Sequence, residues 1–127
     1  MEEKIYLGID WGEARIGLAM GDSILKIATP YGVVEKISQI VDVVKDEDIS
    51  EIVLGDPRKL KDEDKSFHES YLSFKKKLEE ISGVNVVSVD ERMSSKAADA
   101  LEGDKKTKSA RDAIAAMIIL QGYLDTL

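Results

Sequence analysis

Residues 4–20 read KIYLGIDWGEARIGLAM. Ile5, Leu7 and Ile9 alternate with other residues, the two-residue period of a strand with one buried face. Ile16, Leu18 and Met20 repeat that period. The turn between them, Trp11–Ala14, holds Gly12, so the two runs read as an antiparallel hairpin. The first run ends on a carboxylate, Asp10. This stretch therefore predicts a sheet that opens with a hairpin and delivers an acid to the end of its first strand.

Outward from the hairpin, a third strand is expected within 25–34, LKIATPYGVV, with Pro30 at an edge or a strand end because it cannot donate to a ladder. Ile37, Ile40, Val41 and Val44 recur at helical spacing, which predicts a helix over 35–46. EIVLG at 51–55 is a short buried strand, stopped by Asp56-Pro57. Phe67, Tyr71, Phe74, Leu78 and Ile81 step by four and three, an amphipathic helix from Asp64 to Ser82 ended by Gly83. VNVVSV at 84–89 is the last strand and delivers Asp90-Glu91-Arg92. A short helix is expected over 95–102, ended by Gly103, and a long apolar helix over 109–125. The order β-β-β-α-β-α-β-α-α implies an α/β fold with a mixed sheet and helices on both faces. No repeat, linker or low-complexity segment appears, so residues 1–127 read as a single domain.

The 127 residues contain no cysteine, which excludes a disulfide framework and a thiolate zinc site. The N-terminus lacks a signal peptide and no apolar run is long enough to span a membrane, so the expectation is a cytoplasmic protein without membrane association. The net charge of -7 argues against nucleic-acid binding through a broad basic surface. It leaves room for a site where metal ions supply the positive charge. Basic residues gather at Lys75–Lys77 and at 104–111, DKKTKSAR. The first cluster reads as the solvated face of its helix, and His68, the only histidine, as a surface residue.

In such a sheet, ligands collect outside the carboxyl ends of strands. Asp10 and Asp90-Glu91 sit at such ends, and Asp112 lies in the expected first turn of the last helix. If that turn lies over the same sheet edge, these carboxylates converge, and their repulsion is relieved by a divalent cation. Oxygen ligands without His or Cys suit Mg²⁺ or Mn²⁺, which activate water and stabilise a leaving oxygen in phosphodiester cleavage. Gly8 and Gly12 would let metal or substrate approach the backbone. Simpler readings stand beside this one. Asp10 could form the turn. Ser109-x-x-Asp112 has the spacing of a capping box. Asp90-Glu91 could be solvated acids leading into a helix. Asp22 is most simply a turn residue.

Four blocks, GIDWGEARIGLAMGD at 8–22, IVLGDP at 52–57, DERMSSKAADAL at 90–101 and DAIAAMIILQGYL at 112–124, resemble the YqgF/RuvX family, related to RuvC-type resolvases. The resemblance implies an RNase H-like fold with a mixed five-stranded sheet, metal-dependent phosphodiester cleavage, and maturation of the 5′ end of pre-16S ribosomal RNA. Members are also described as Holliday junction resolvases. Carried over, Asp10, Asp90, Glu91 and Asp112 are the catalytic acids. Adjacent strand residues face opposite ways, so one of Asp90 and Glu91 meets the metal, and Glu91 is preferred with Asp10 and Asp112. Arg92 would contact phosphate or brace the carboxylates, and Gly12 and Arg15 are further candidate substrate contacts. Lys105, Lys106, Lys108 and Arg111 would grip a nucleic-acid backbone from a loop. Two features depart from the family. Asp56 stands where an apolar residue is usual, adding negative charge near the phosphate path. Trp11 is bulkier than expected, either stacking on a base or packing on the turn.

The leading expectation is thus an endonuclease for structured RNA, as monomer or homodimer. A branched-DNA resolvase needs two active sites and so a two-fold dimer. A nucleotide-binding ATPase would need a second lobe that this length does not supply. A non-catalytic RNA- or ribosome-binding module would keep the acids without the chemistry.

Overall fold

The computed structural model describes residues 3–12, 14–56, 65–90 and 108–127, the side chains of 65–68 and 108–110 excepted. Five strands, β1 (Ile5–Trp11), β2 (Ile16–Asp22), β3 (Thr29–Val34), β4 (Glu51–Asp56) and β5 (Asn85–Asp90), form one sheet in the order β3-β2-β1-β4-β5. β1, β2 and β3 are antiparallel neighbours, while β4 runs parallel to β1 and β5 parallel to β4. The helices are α1 (Ile37–Asp46), α2 (Lys65–Ser82) and α3 (Lys108–Leu124). The mixed five-stranded sheet with helices on both faces is the architecture that the alternation predicts. The short helix expected over 95–102 lies outside the described residues.

Alternation sorts β1, β2, β4 and β5 between two cores. Leu7, Ile9, Ile16, Leu18, Ile52, Leu54 and Val86 pack with Ile40, Val43 and Val44 of α1 and Tyr71 and Leu78 of α2. Tyr6, Ala19 and Val53 face the other way and pack with Ala116, Ile119, Leu120 and Leu124 of α3. β1 and β4 are interior strands with both faces covered, so Ile5–Ile9 of β1 and Ile52–Gly55 of β4 are runs without a charged residue. Each fully buried leucine or isoleucine here contributes about 1.5–3 kcal/mol relative to exposure.

Local chemistry sets the boundaries. Asp22 ends β2 as a turn residue: its Oδ1 accepts hydrogen bonds from the backbone N–H of Ile24 (2.9 Å) and Leu25 (2.6 Å), an Asx turn. Pro30 lies on the edge strand β3 opposite Ala19, where the β2–β3 register shifts. Gly83, in the left-handed region with φ 73°, closes α2. At the start of α1, Gln39 folds back and its Oε1 accepts from the N–H of Glu35 and Lys36, both at 2.9 Å.

The α3 face of β2 is unusually small: Gly17, Ala19 and Gly21 alternate against Ile16, Leu18 and Met20. That stripe lets α3 lie almost on the backbone of the sheet. A Cβ at Gly8 would come within 2.6 Å of Leu120 Cβ and 3.0 Å of the Ala116 carbonyl oxygen. The clearance expected at Gly8 for a ligand is therefore filled by the helix itself.

Candidate functional site

The carboxyl ends of β1, β4 and β5 and the start of β2 share one edge of the sheet, set by the parallel and antiparallel registers. On β1, Tyr6 and Gly8 face α3, so alternation turns Asp10 toward α3 as well. The antiparallel partner of Asp10 is Gly17. A Cβ on Gly17 would collide with the carbonyl of Asp112, with Ala113 N 3.1 Å away. Gly17 is thus the residue both acids share: it lies beside Asp10 in the ladder and beneath Asp112 in α3. Two acids separated by 102 positions in the chain thus flank one glycine at this edge.

The helix begins at Lys108, one residue earlier than the sequence reading, so Ser109 lies inside it and Asp112 in its second turn. Ser109 is then not the helix cap, and the capping-box reading of Asp112 does not hold. Asp112 is instead engaged across the fold. Its Oδ2 lies 3.0 Å from Nε of Arg15, with the arginine side chain 41% exposed and the aspartate 25%. That oxygen is buried, and the contact is a charge pair without hydrogen-bond alignment: among the described residues Oδ2 has no hydrogen-bond partner. A buried carboxylate oxygen without a hydrogen bond is the kind of donor a cation completes. The pair was not foreseen from the sequence. The small stripe Gly17-Ala19-Gly21 is the signal that points to it, because it marks where a helix approaches closely.

Alternation separates the remaining acids. Val86 packs in the α1/α2 core and Ser88 Oγ lies 3.0 Å from the hydroxyl of Tyr71 on α2. Asp90 continues that series and belongs to the α2 side, away from Asp10 and Asp112. Asp56, its register partner on β4, follows Ile52 and Leu54 to the same side. By the same alternation Asp56 lies toward the opposite face of the sheet from Asp10, at the strand end where the sequence reading set its charge near the phosphate path. Trp11 also faces α2. Its ring stacks on Phe74 (centroids 5.3 Å, 22° between planes) and tilts against Tyr71 (6.2 Å, 59°). The tryptophan anchors the end of β1 to α2, which explains its bulk without a stacked base.

Gly12 closes the hairpin: its N–H donates to the carbonyl oxygen of Arg15 at 3.0 Å, and a Cβ there would lie 2.9 Å from that oxygen. Arg111 is exposed on α3. Lys108 is the first residue of α3, and its side chain lies outside the described residues. So do Glu91, Arg92, Lys105 and Lys106. Among the described residues, no group of three or more His, Cys, Asp and Glu side chains forms a metal cluster, and divalent-metal use is an inference from the RNase H-like superfamily. Among them too, no helix is long and apolar enough to cross a membrane.

This geometry can be set beside known proteins. Residues 4–126 match the sequence profile of the family described as "RuvX: Holliday junction resolvase". A protein of Chlamydia caviae named "Putative pre-16S rRNA nuclease" is 35% identical over 98% of this chain and 85% of its own length. A protein of the same name from Dictyoglomus thermophilum is 37% identical over 94% of each chain. The structure of T. thermophilus RuvC in complex with a Holliday junction substrate shares the fold: TM-score 0.59, covering 97% of this chain and 94% of that one, at 15% identity. The match across almost the whole chain, together with the shared fold, makes this protein a member of the RuvX (YqgF) family of nuclease and Holliday-junction-resolvase type, in the RNase H-like superfamily.

Proposed function

We propose that this protein is a divalent-metal-dependent endonuclease acting on structured RNA in the cytoplasm, with the 5′ end of pre-16S ribosomal RNA as its substrate. The observation that carries the reading is the placement of Asp10 beside Gly17 in the ladder and of Asp112 over that same glycine in α3, with a buried Asp112 oxygen that has no hydrogen bond among the described residues. Asp10 and Asp112 would hold Mg²⁺ or Mn²⁺. Strand alternation carries Asp90 toward the α2 side, which favours Glu91, outside the described residues, as the third carboxylate. Bound there, such an ion supplies an activated water and charge stabilisation for an in-line displacement at phosphorus.

The protein's own residues do the rest. β1 and α3 hold the two aspartates on rigid elements, and Gly17 sets how near they come. Trp11, clamped on Phe74 and Tyr71, fixes the end of β1 so that Asp10 does not swing. Arg15 places a positive charge beside Asp112. Arg92, Lys105, Lys106, Lys108 and Arg111 are the candidate phosphate contacts, which a chain of net charge -7 needs to concentrate at its site. The names of the relatives favour ribosomal RNA.

The test is cleavage of a 16S precursor carrying its 5′ leader, with Mn²⁺, Mg²⁺ or EDTA, beside Asp10→Asn. Metal-dependent cuts that vanish in the variant are expected. Equal cutting by the variant refutes the assignment of Asp10. The description of the family profile favours a second reading, resolution of branched DNA. That reading requires paired nicks on a four-way junction and a two-fold dimer in solution.

A further inference from the structure

We propose that Arg15 is a displaceable counter-cation for Asp112, released on metal binding to take a nucleic-acid phosphate, so that metal and nucleic acid bind cooperatively. The inference rests on Asp112 being a metal ligand. Three features of the contact support it. First, Arg15 Nε approaches the one oxygen of Asp112 that is buried and has no hydrogen bond. Guanidinium and divalent ion therefore compete for the same atom. Second, the pair has charge proximity at 3.0 Å but no aligned N–H bond. An aligned, bidentate arginine–carboxylate pair would be a firm brace; this one is held by charge alone. Third, 41% of the Arg15 side chain is exposed, so the guanidinium leaves toward water with little change in solvation.

The backbone stays put while this happens. The Arg15 carbonyl accepts the Gly12 N–H across the hairpin turn, and Ile16 begins β2 opposite Trp11. Only the side chain has to move. A divalent ion on Oδ2 repels the guanidinium a few ångströms away. The arginine then presents its donors on the α3 side of the sheet edge, where Asp10 also points. A phosphate that holds Arg15 outward frees Asp112 for metal, and linkage makes the two effects equal.

The test is Mn²⁺ affinity by calorimetry on the full chain, in wild type, Arg15→Gln, Arg15→Lys and Asp112→Asn. Removing a competing charge from a half-exposed pair is expected to tighten Mn²⁺ binding by about five-fold in Arg15→Gln. Arg15→Lys keeps the charge and is expected to stay within about two-fold of wild type. In EDTA, a fluorescent RNA hairpin with a 5′ extension gives a readout that a structural brace would not move. Asp112→Asn frees Arg15 and tightens the hairpin's binding more in the wild-type background than in Arg15→Gln, where only the lost negative charge acts. Mn²⁺ binding that is absent, or that survives Asp112→Asn unchanged, overturns Asp112 as a ligand and the functional reading with it. Mn²⁺ binding lost in Asp112→Asn but unchanged or weaker in Arg15→Gln overturns the role of Arg15 alone, as does an equal effect of Asp112→Asn on hairpin binding in both backgrounds.

Discussion

A single methyl group at position 17 should separate the two aspartates. Gly17 is the ladder partner of Asp10, and a Cβ there would collide with the Asp112 carbonyl and stand 3.1 Å from Ala113 N. Both are backbone atoms of α3, so no side-chain rotamer relieves the clash. Restoring ordinary contact requires the start of α3 to lift by roughly 1.5 Å, since repulsion rises steeply inside the van der Waals distance. Lifting it carries Asp112 away from Asp10 and away from Arg15. Overpacking of this kind costs about 1–3 kcal/mol, against a total stability on the order of 5–15 kcal/mol, so Gly17→Ala should remain folded. A misplacement of ~1 Å at a catalytic group costs about 10²-fold in rate. The expected result is therefore a folded protein with a lowered urea midpoint and a cleavage rate on precursor RNA reduced roughly a hundred-fold. Circular dichroism reports the fold, and end-mapping of the RNA reports the rate. A Gly17→Ala protein that cleaves at the wild-type rate would falsify the placement of the site between β1 and α3.

Three further outcomes follow from other contacts. Gly122 lies within α3 with open space where a Cβ would be, so Gly122→Ala should raise stability by about 0.5–1 kcal/mol through helix propensity, read from urea unfolding at unchanged cleavage rate. Gln121 Oε1 accepts the Ala28 N–H at 2.8 Å and its Nε2 donates to the Lys26 carbonyl at 2.9 Å, holding the β2–β3 connection where Lys26 has φ 56°. Gln121→Leu leaves those groups unsatisfied and should cost about 1–3 kcal/mol in thermal or urea unfolding. Desolvation, with the Tyr123 hydroxyl's hydrogen bond to Glu51 Oε1 (3.0 Å), raises the pKa of Tyr123 from its ordinary 10.0. A raised pKa means that the stability it confers is intact below about pH 10 and is lost as pH climbs through the folded value. Wild type should therefore lose stability above pH 10 more steeply than Tyr123→Phe, and parallel alkaline limbs in the two proteins would refute this.

Much of this fold was legible because its signals are local. The period of two in 4–20 gave β1 and β2, and the steps of three and four in 64–82 gave α2, because a side chain's direction depends on its neighbours within one or two turns. Trp11 shows the limit. Its place at a strand end was readable, yet whether it met a base or the protein depended on Phe74 and Tyr71, 63 and 60 positions away. Asp56 shows it too. The residue type suggested a charge near the phosphate path, and which face of the sheet it takes follows only from the packing of Ile52 and Leu54 on the same strand.

What the sequence by itself determined is the described strands and helices, the two-faced sheet and the acids at strand ends. Backbone sterics and the apolar period act over a few residues and need no partner to be read. Tertiary structure alone decided that α3 seats on Gly17, that Asp112 in that helix lies over the ladder partner of Asp10, and that Arg15 pairs with the buried oxygen of Asp112. Those facts depend on register between strands and on how closely a helix approaches a sheet. Both are set by packing across 102 positions of chain between Asp10 and Asp112, where no local periodicity reaches.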